Sequence, residues 1–203
     1  MHPNRAFAWE NPKAALRFAA DRAFAHVFTA LEKGMFVVHV PILVTEDGQV
    51  LFHVSRRNRI ADHLADRPVL ISVSGREAYQ SANWYVSENQ VPTWHYEAVE
   101  IEGVARPLSD EALVELLDRL SERFEGFHQP EQPWTRGKMT PGKFEAMTKA
   151  IVGFEVEPVE IRATRKFNQH KSAEDLAATI AGQKGAGRED IIQAIGEMTS
   201  TNE

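Results

Sequence analysis

The 203-residue sequence contains no cysteine. This absence excludes disulfides, thiolate metal ligands and a cysteine nucleophile, and it is consistent with a reducing compartment. Residues 1–18 mix four charged side chains with apolar ones, so no apolar run there is long enough for a signal peptide or a membrane span. We therefore expect a cytoplasmic protein without membrane contact.

A basic excess is also missing, because 23 Lys and Arg residues stand against 29 Asp and Glu residues, a formal net charge of −6. Proteins that bind DNA over a broad face usually carry a positive excess, so the charge does not support nucleic-acid binding. The sequence has no Gly-rich phosphate loop, no Rossmann fingerprint and no Gly-x-Ser-x-Gly elbow. Its histidines are spaced too widely for a zinc motif, and we expect no metal site.

What remains is an ordinary globular composition, with 43% hydrophobic and 26% charged residues. The length predicts one domain over residues 1–203, ending in a helical tail from about 172 to 203. The hydrophobic patterns predict six or seven strands, with helices at both ends and in the middle. Since strands and helices do not alternate strictly, an antiparallel barrel with peripheral helices fits better than a parallel sheet.

The clearest local pattern is a hairpin. Residues 36–44 alternate as a strand, Asp47-Gly48 is typical of a turn, and residues 50–54 form the returning strand. A two-residue turn would place Val44 opposite Leu51, whereas a bulge would shift this register by one residue. After the hairpin, residues 57–65 are predicted to form a short helix.

The first candidate site is the segment His53-Val54-Ser55-Arg56-Arg57-Asn58, where this strand ends and the predicted helix begins. Two guanidinium groups, a hydroxyl and the free N–H groups of a helix N-terminus are the donors that a phosphate requires. An ordinary solvated basic turn would have the same sequence, so the pattern alone does not decide between them.

Two further segments are candidates. Trp84, Tyr85, Trp94 and Tyr96 lie among polar residues that include Ser81, and such rings can enclose a flat heterocycle or form a satellite core cluster. The segment from Lys166 to Lys171 combines charged and amide groups. Its alternative interpretation is an ordinary polar loop.

Taken in order, these segments resemble the PaiB-like family of FMN-binding negative transcriptional regulators. Five pieces spanning residues 35 to 180 carry the resemblance: Val38-His39-Val40-Pro41, Phe52-His53-Val54-Ser55-Arg56-Arg57-Asn58, Ser81-Ala82-Asn83-Trp84-Tyr85, Val91-Pro92-Thr93-Trp94-His95-Tyr96, and Ile151-Val152-Gly153-Phe154-Glu155 followed by residues 166–172. The sequence departs from the family pattern at Phe52, where the family has glycine, at Ala82, where it has proline, and at His95, where it has asparagine.

The resemblance implies a split β-barrel that works as a homodimer with FMN at the subunit interface. Ser55, Arg56 and Arg57 are also similar to the Ser-Arg-Lys segment with which pyridoxamine-phosphate oxidases hold the FMN phosphate. On this basis, eleven residues are expected to bind the flavin nucleotide: His53, Ser55, Arg56, Arg57, Asn58, Ser81, Trp84, Tyr85, Trp94, Lys166 and Gln169.

Three functions are compatible with these features. The family label favours a flavin-binding regulator or sensor, although contact with DNA rests on that label alone. A flavin-dependent oxidoreductase is the alternative, because split barrels often host such chemistry. A dimeric scaffold with a decayed flavin site is the third. No residue stands out as a catalytic acid or base, and His39, His95 and Tyr96 are candidates only for shaping a pocket.

Overall fold

The computed structural model describes residues 1–32 and 34–200. Its helices are α1 (Pro12–Arg22), α2 (Asp110–His128), α3 (Lys143–Thr148), α4 (Ala173–Gly185) and α5 (Glu189–Ser200). Its strands are β1 (Phe24–Leu31), β2 (Gly34–Val44), β3 (Val50–Ser55), β4 (Arg67–Gln80), β5 (Thr93–Pro107) and β6 (Ile151–Lys166).

The chain forms two compact units that alternate along the sequence. We call residues 16–73 and 100–161 the barrel unit, and residues 1–15, 74–99 and 162 onward the terminal unit. Strands β4, β5 and β6 each contribute residues to both units. The expectation of a single domain stays a prediction.

The strands close into a barrel in the order β1-β2-β3-β6-β5-β4. Strand β1 pairs antiparallel with β2 and β4, and β3 pairs antiparallel with β2 and β6. This architecture confirms the predicted mainly-β barrel with added helices. In the barrel unit, alternate strand residues fill the interior, among them Val27, Ile42, Phe52, Ile101 and Phe154.

Helix α2 covers one outer face of the barrel. Ser109 caps it by accepting a hydrogen bond from the N–H of Ala112 at 3.2 Å. Its buried residues, Leu113, Leu116 and Leu120, form one stripe at the spacing of an amphipathic helix. Two members of that stripe, Leu116 and Leu120, join Leu43 in a cluster against which Leu51 also packs.

The β2–β3 hairpin differs by one residue from the register expected for a two-residue turn. Val44 pairs with Val50 instead of Leu51. The connection is a five-residue loop in which the N–H of Thr45 donates to the carbonyl oxygen of Gln49 at 2.9 Å. Gly48 adopts a φ of +87° within it, a conformation that favours glycine.

The prediction of a helix over residues 57–65 is wrong. This segment consists of turns and a single 3-10 turn, Ala61–His63. The Asn58 side chain accepts a hydrogen bond from the N–H of Ile60 at 3.2 Å, which offers the backbone an alternative to a helix. Ile60 and Leu64 are nevertheless fully buried, so this apolar pair anchors the segment.

In the terminal unit, α4 and α5 form the predicted helical tail as far as residue 200, whereas residues 201–203 of that prediction lie outside the described residues. The two helices pack around an apolar cluster. Its buried members are Ala78, Phe167, Ile191, Ala194 and Ile195. Ser172 caps α4 by accepting a hydrogen bond from the N–H of Asp175, as the sequence predicts.

Across residues 1–32 and 34–200, none of the helices combines the length and the apolar character needed to cross a membrane.

Gly103 on β5 marks a close backbone approach inside the barrel unit. A Cβ added there would lie 2.5 Å from the carbonyl oxygen of Glu157 and from Cγ1 of Val156. We expect Gly103→Ala to lower the free energy of unfolding by about 1–3 kcal/mol, because β5 and β6 must move apart. Urea unfolding monitored by circular dichroism measures this loss.

Gly126→Ala is the matched control, because no heavy atom lies within 4 Å of its added Cβ and the residue is in α2. Alanine there should stabilise the protein by up to about 1 kcal/mol. Equal stability of Gly103→Ala and the unmodified protein would contradict the close approach.

Candidate functional site

The pairing of β3 with β6 positions the basic segment that follows β3. Ser55, the last residue of β3, pairs with Ile151, the first residue of β6. Beyond this pair, Arg56 donates twice to the chain that leads into β6. Its backbone N–H bonds the carbonyl oxygen of Ala150 at 2.9 Å, and its Nε bonds that of Lys149 at 3.1 Å. Arg56 is therefore fastened in place, and we call Ser55–Asn58 the basic corner.

The backbone N–H groups of Arg56, Arg57 and Asn58 already have acceptors, and two of these acceptors lie within the basic corner. The Ser55 hydroxyl oxygen accepts from the N–H of Arg57 at 3.2 Å, and the Ser55 carbonyl oxygen accepts from the N–H of Asn58 at 2.9 Å. The expected helix N-terminus is absent, so its free N–H groups are not available to a phosphate. An anion at this corner must be held by side chains.

The side chains of the basic corner suit that task. Ser55, Arg56 and Arg57 are exposed. Within the ranges that the structure describes, the Arg57 guanidinium has no hydrogen bond, ion pair or ring contact. A guanidinium offers a planar fork of donors that matches phosphate oxygens. The donor set therefore fits a phosphate group.

His53 and Phe52 point to opposite faces of β3. Phe52 is fully buried in the barrel and stacks on Phe154, with ring centroids 5.6 Å apart. The phenylalanine that replaces the family's glycine thus fills the interior and leaves the face of the corner unchanged. His53 lies on the outer face, where burial lowers the pKa of its imidazole.

The terminal unit contains the other predicted ligands. Trp84 lies in a 3-10 turn that Ser81 caps through its hydroxyl oxygen. The Trp84 ring packs so closely on Gly182 of α4 that an added Cβ there would collide with it. Tyr85 is held by the Asn168 amide, which donates to its hydroxyl oxygen at 2.9 Å. Trp84 and Tyr85 are therefore half-buried parts of the packing.

Trp94 and Lys166 are more accessible to a ligand. The Trp94 side chain is 55% exposed and contacts Tyr79 edge-to-face, with centroids 6.0 Å apart. Lys166 donates from Nζ to the Thr93 hydroxyl at 2.6 Å, and burial lowers the pKa of this lysine. The structure thus presents an exposed ring and a cation on adjacent strands.

The side-chain amide of Gln169 already makes structural hydrogen bonds. Its Nε2 donates to the carbonyl oxygens of Ala6, at 3.0 Å, and of Arg165, and its Oε1 accepts from the N–H of Phe167 at 2.8 Å. The amide thereby fastens the N-terminal segment to the end of β6.

The structure brings Ser55, Arg56, Arg57 and Asn58 together in the barrel unit, with His53 two positions back on the same strand. The other six predicted ligands belong to the terminal unit, where the pair Trp84 and Tyr85 packs against a different element from Trp94 and Lys166. Their assignment to a cofactor stays a prediction for all eleven residues.

A buried ion-pair cluster in the terminal unit was not foreseen from the sequence. Glu97 is 3% exposed and lies 2.8 Å from Arg76 Nε and 3.4 Å from Arg165 Nε. Arg76 also pairs with Glu197 at 2.7 Å. These residues are far apart in sequence. The sequence signal that could have revealed this cluster is the strand alternation, which places His95 and Glu97 at inward positions of β5.

His95 is fully buried, and its ring meets Phe167 edge-to-face with centroids 5.8 Å apart. Neither ring nitrogen has a hydrogen-bond partner among the residues that are described. Burial, and then the charge of Lys166, lower the pKa of His95 to about 4, against a smaller upward effect of Asn168. The imidazole is therefore neutral at pH 7.

Comparison with protein families places most of the chain in a known family. The model of the family described as "Putative FMN-binding domain" matches residues 1–160.

One relative is the "Protease synthase and sporulation protein PAI 2" of Bacillus subtilis. The two proteins are 28% identical over 184 residues, which cover 89% of this chain and 87% of the relative.

Solved structures with similar folds include two proteins that bind redox cofactors. The flavocytochrome Anf3 of Azotobacter vinelandii superposes with a TM-score of 0.63 at 15% identity, covering 87% of this chain and 78% of that chain. An FAD- and haem-binding protein of Mycobacterium smegmatis gives 0.60 at 16% identity, with coverages of 84% and 79%. At these identities the likeness establishes the fold.

Protonation of His95 should destabilise the protein in acid. The pKa of His95 is about 4 in the folded chain and near 6.5 when unfolded, so the unfolded state binds more protons between these values. The free energy of unfolding should therefore fall as the pH drops from 6.5 to 4, by on the order of 3 kcal/mol from this residue. His95→Asn introduces the residue that the family has at this position. It should remove the contribution of His95 to the pH dependence of the free energy of unfolding.

Urea unfolding of both proteins at several pH values isolates the effect, because their other titrating groups are the same. His128→Asn changes an exposed histidine and should keep the original pH profile. Parallel profiles for His95→Asn and the unmodified protein would show that His95 does not titrate as described.

Proposed function

This chain belongs to the family described as "Putative FMN-binding domain", and from that premise we propose that its basic corner holds the phosphate of FMN. The observation that supports this proposal most is the exposed Arg57 guanidinium, which has no partner among the described residues, next to the fastened Arg56. Charge-assisted hydrogen bonds from arginine to phosphate are among the strong ones in proteins.

Each residue of the corner has a distinct part in this proposal. Arg57 supplies a planar fork of donors that has no partner in the described part of the chain. Arg56 supplies charge from a side chain that is already held by Lys149, so little conformational entropy is lost when the anion binds. The Ser55 hydroxyl accepts from the N–H of Arg57, which leaves its own proton for a phosphate oxygen. Asn58 shapes the turn through its bond to Ile60.

Bound FMN supplies one- and two-electron redox chemistry, while the protein binds it, orients it and excludes water. For the flavin ring, the proposed contacts are the terminal-unit residues that the family resemblance implies. Among them, Trp94 and Lys166 are supported best, because Trp94 is exposed and Lys166 keeps two of its three donors for other partners. We assign no catalytic residue.

A regulatory role is proposed on the likeness to the PAI 2 protein, whose name refers to protease synthesis and sporulation. The net charge of −6 disfavours a broad grip on DNA, so we infer that regulation would act through a partner protein or a composite surface. A salt-sensitive gel shift on a specific promoter favours direct regulation. Consumption of NAD(P)H with an added acceptor favours the oxidoreductase alternative. A cytoplasmic location stays a prediction.

We propose that the protein works as a homodimer, as the family resemblance implies. The support is an outward face on β1 and β2 of the barrel unit, where three cross-strand pairs put apolar and imidazole groups outside: Phe24 with Pro41, His26 with His39, and Phe28 with Val37. Phe24 is 53% exposed, and the two imidazole rings meet edge-to-face at 4.5 Å. A second copy of the chain would bury this face.

Removal of the free guanidinium should weaken FMN binding without affecting the fold. We expect Arg57→Ala to lose about 1–3 kcal/mol of binding free energy for FMN, which is the scale of a hydrogen bond to a charged group. Binding of riboflavin, which lacks the phosphate, should change little. Isothermal titration with both ligands measures the difference, and Arg56→Ala should behave in the same way.

Arg17→Ala removes an equal charge from an exposed position of α1 and should leave both affinities unchanged. If Arg57→Ala binds FMN as tightly as the unmodified protein, the phosphate is held elsewhere. Equal losses for FMN and riboflavin would point to a general disturbance of the site.

A charge placed on the outward face should separate the proposed dimer. Phe24→Asp is expected to sediment as a monomer at micromolar concentration, because a buried unpaired carboxylate costs several kcal/mol. Val159→Asp changes another exposed apolar residue of the barrel unit, 77% exposed on β6, and should leave the dimer intact. Sedimentation velocity distinguishes the two, and an unchanged Phe24→Asp dimer would place the interface elsewhere.

A further inference from the structure

The barrel unit contains an apolar pocket of about 310 Å³ beside the basic corner. This volume lies at the lower end of the range of about 300–1,000 Å³ that is typical of small-molecule sites. Nine residues from β3, α2, the following loop, α3 and β6 line it: His53, Leu117, Ser121, Trp134, Met139, Phe144, Met147, Thr148 and Ile151. None of these side chains carries a charge at pH 7, because burial keeps His53 neutral.

The loop that walls the pocket is held in place by several contacts. Glu125 of α2 accepts a hydrogen bond from the N–H of Trp134 at 2.9 Å, and Lys138 donates to the carbonyl oxygen of Pro133 at 2.8 Å. Arg136 pairs with Asp118 of α2 at 3.3 Å and lies over the ring of Phe144, 5.4 Å from its centroid. The wall is therefore built before any ligand arrives, which lowers the cost of binding.

The pocket remains open to solvent although its walls are apolar. Trp134 is 37% exposed and Met147 is 56% exposed. Aromatic rings and methionine sulfurs make favourable contacts with flat aromatic molecules. A site with an exposed mouth, two rings and two methionines thus suits an aromatic ligand better than an aliphatic or ionic one.

His53 is one of the polar groups that line the pocket, and it is the one on β3. Its Nδ1 is shut off from solvent and has no hydrogen-bond partner in the described part of the chain. A neutral imidazole whose buried Nδ1 has no acceptor prefers to carry its proton on Nε2, the nitrogen that a molecule in the pocket can reach. The Thr148 hydroxyl already donates to the carbonyl oxygen of Glu145. Besides the Ser121 hydroxyl and the Trp134 indole N–H, His53 therefore offers a ligand a donor on the β3 side of the pocket.

We propose that this pocket binds a small, uncharged aromatic molecule whose hydrogen-bond acceptor, such as a carbonyl oxygen, bonds to His53. The site is separate from the FMN phosphate corner and does not depend on that assignment. An uncharged ligand is required because nothing in the lining would neutralise an ionised group. The acceptor is required because the imidazole donor would otherwise be desolvated without a partner.

A matched pair of ligands tests the proposal on the full chain. 1-Acetylnaphthalene carries a carbonyl acceptor, whereas 1-ethylnaphthalene has nearly the same shape without one. We expect the acetyl compound to bind about three- to tenfold more tightly by isothermal titration, the range of a net hydrogen bond. Equal affinities of the two compounds, or no binding of either, would overturn the proposal.

Three variants locate the site. His53→Phe keeps a ring but removes the donor, so it should bind both compounds with the affinity of the ethyl compound. Ser121→Trp should fill the pocket and weaken both ligands at least tenfold. Glu115→Trp adds the same bulk at an exposed position of α2 outside the pocket and should bind normally. Thermal unfolding establishes that each variant is folded.

Saturating FMN should leave the affinity for 1-acetylnaphthalene unchanged. Displacement of the naphthalene by FMN would make the pocket part of the flavin site and overturn the proposal of a separate one. A preference for the acetyl compound that survives in His53→Phe, or normal binding by Ser121→Trp, would also overturn it. Loss of FMN binding in Arg57→Ala, by contrast, bears only on the basic corner.

Discussion

The antiparallel pairing of β3 with β6 is the constraint on which the candidate site depends. It sets Ser55 opposite Ile151 and His53 opposite Gly153. Beyond the last pair, the bonds from Arg56 to the chain before β6 continue the same alignment into the basic corner. Gly153 makes this alignment compatible with α2, because a Cβ there would lie 2.9 Å from a Leu108 methyl and 3.0 Å from a Leu113 methyl. A slip of one residue would turn His53 and Ser55 into the barrel interior.

The basic corner shows how local hydrogen bonds decide what kind of anion site a turn can offer. A helix N-terminus would present free N–H groups, but here Ser55 and Asn58 satisfy those donors within the turn. The turn therefore becomes a rigid base with arginine side chains above it. Guanidinium recognition of a phosphate retains its charge at any physiological pH, and it permits access from solvent, which buried backbone donors would not.

The sequence could predict the elements of the barrel but not all of their alignments. Strand alternation and the capping residues Ser109 and Ser172 located β3, α2 and α4 correctly, since both signals are local. The hairpin register depended on a five-residue loop that the Asp47-Gly48 pattern did not specify.

For the candidate site, too, the sequence predicted what is local and missed what depends on the assembled fold. The basic corner is contiguous in sequence, so its residues could be named together. The pocket walls come from β3, α2, a loop, α3 and β6, and no local pattern joins His53 to Trp134 or Phe144. The same holds for the buried cluster of Glu97 with its arginines, where the pairing becomes visible only once the strands are assembled.

Along the outer face of β3, the side chains change from packed against a helix to solvent-exposed within five residues. Leu51 packs with the leucines of α2, His53 borders the half-open pocket, and Ser55 is exposed at the basic corner. Because α2 and α3 cover only part of this face, one strand serves as core wall, pocket floor and anion support. The neutral state of His53 follows from its middle position, since burial lowers its pKa there, whereas the arginines remain charged in solvent. An uncharged ligand group and a phosphate are thus favoured at adjacent places for opposite electrostatic reasons.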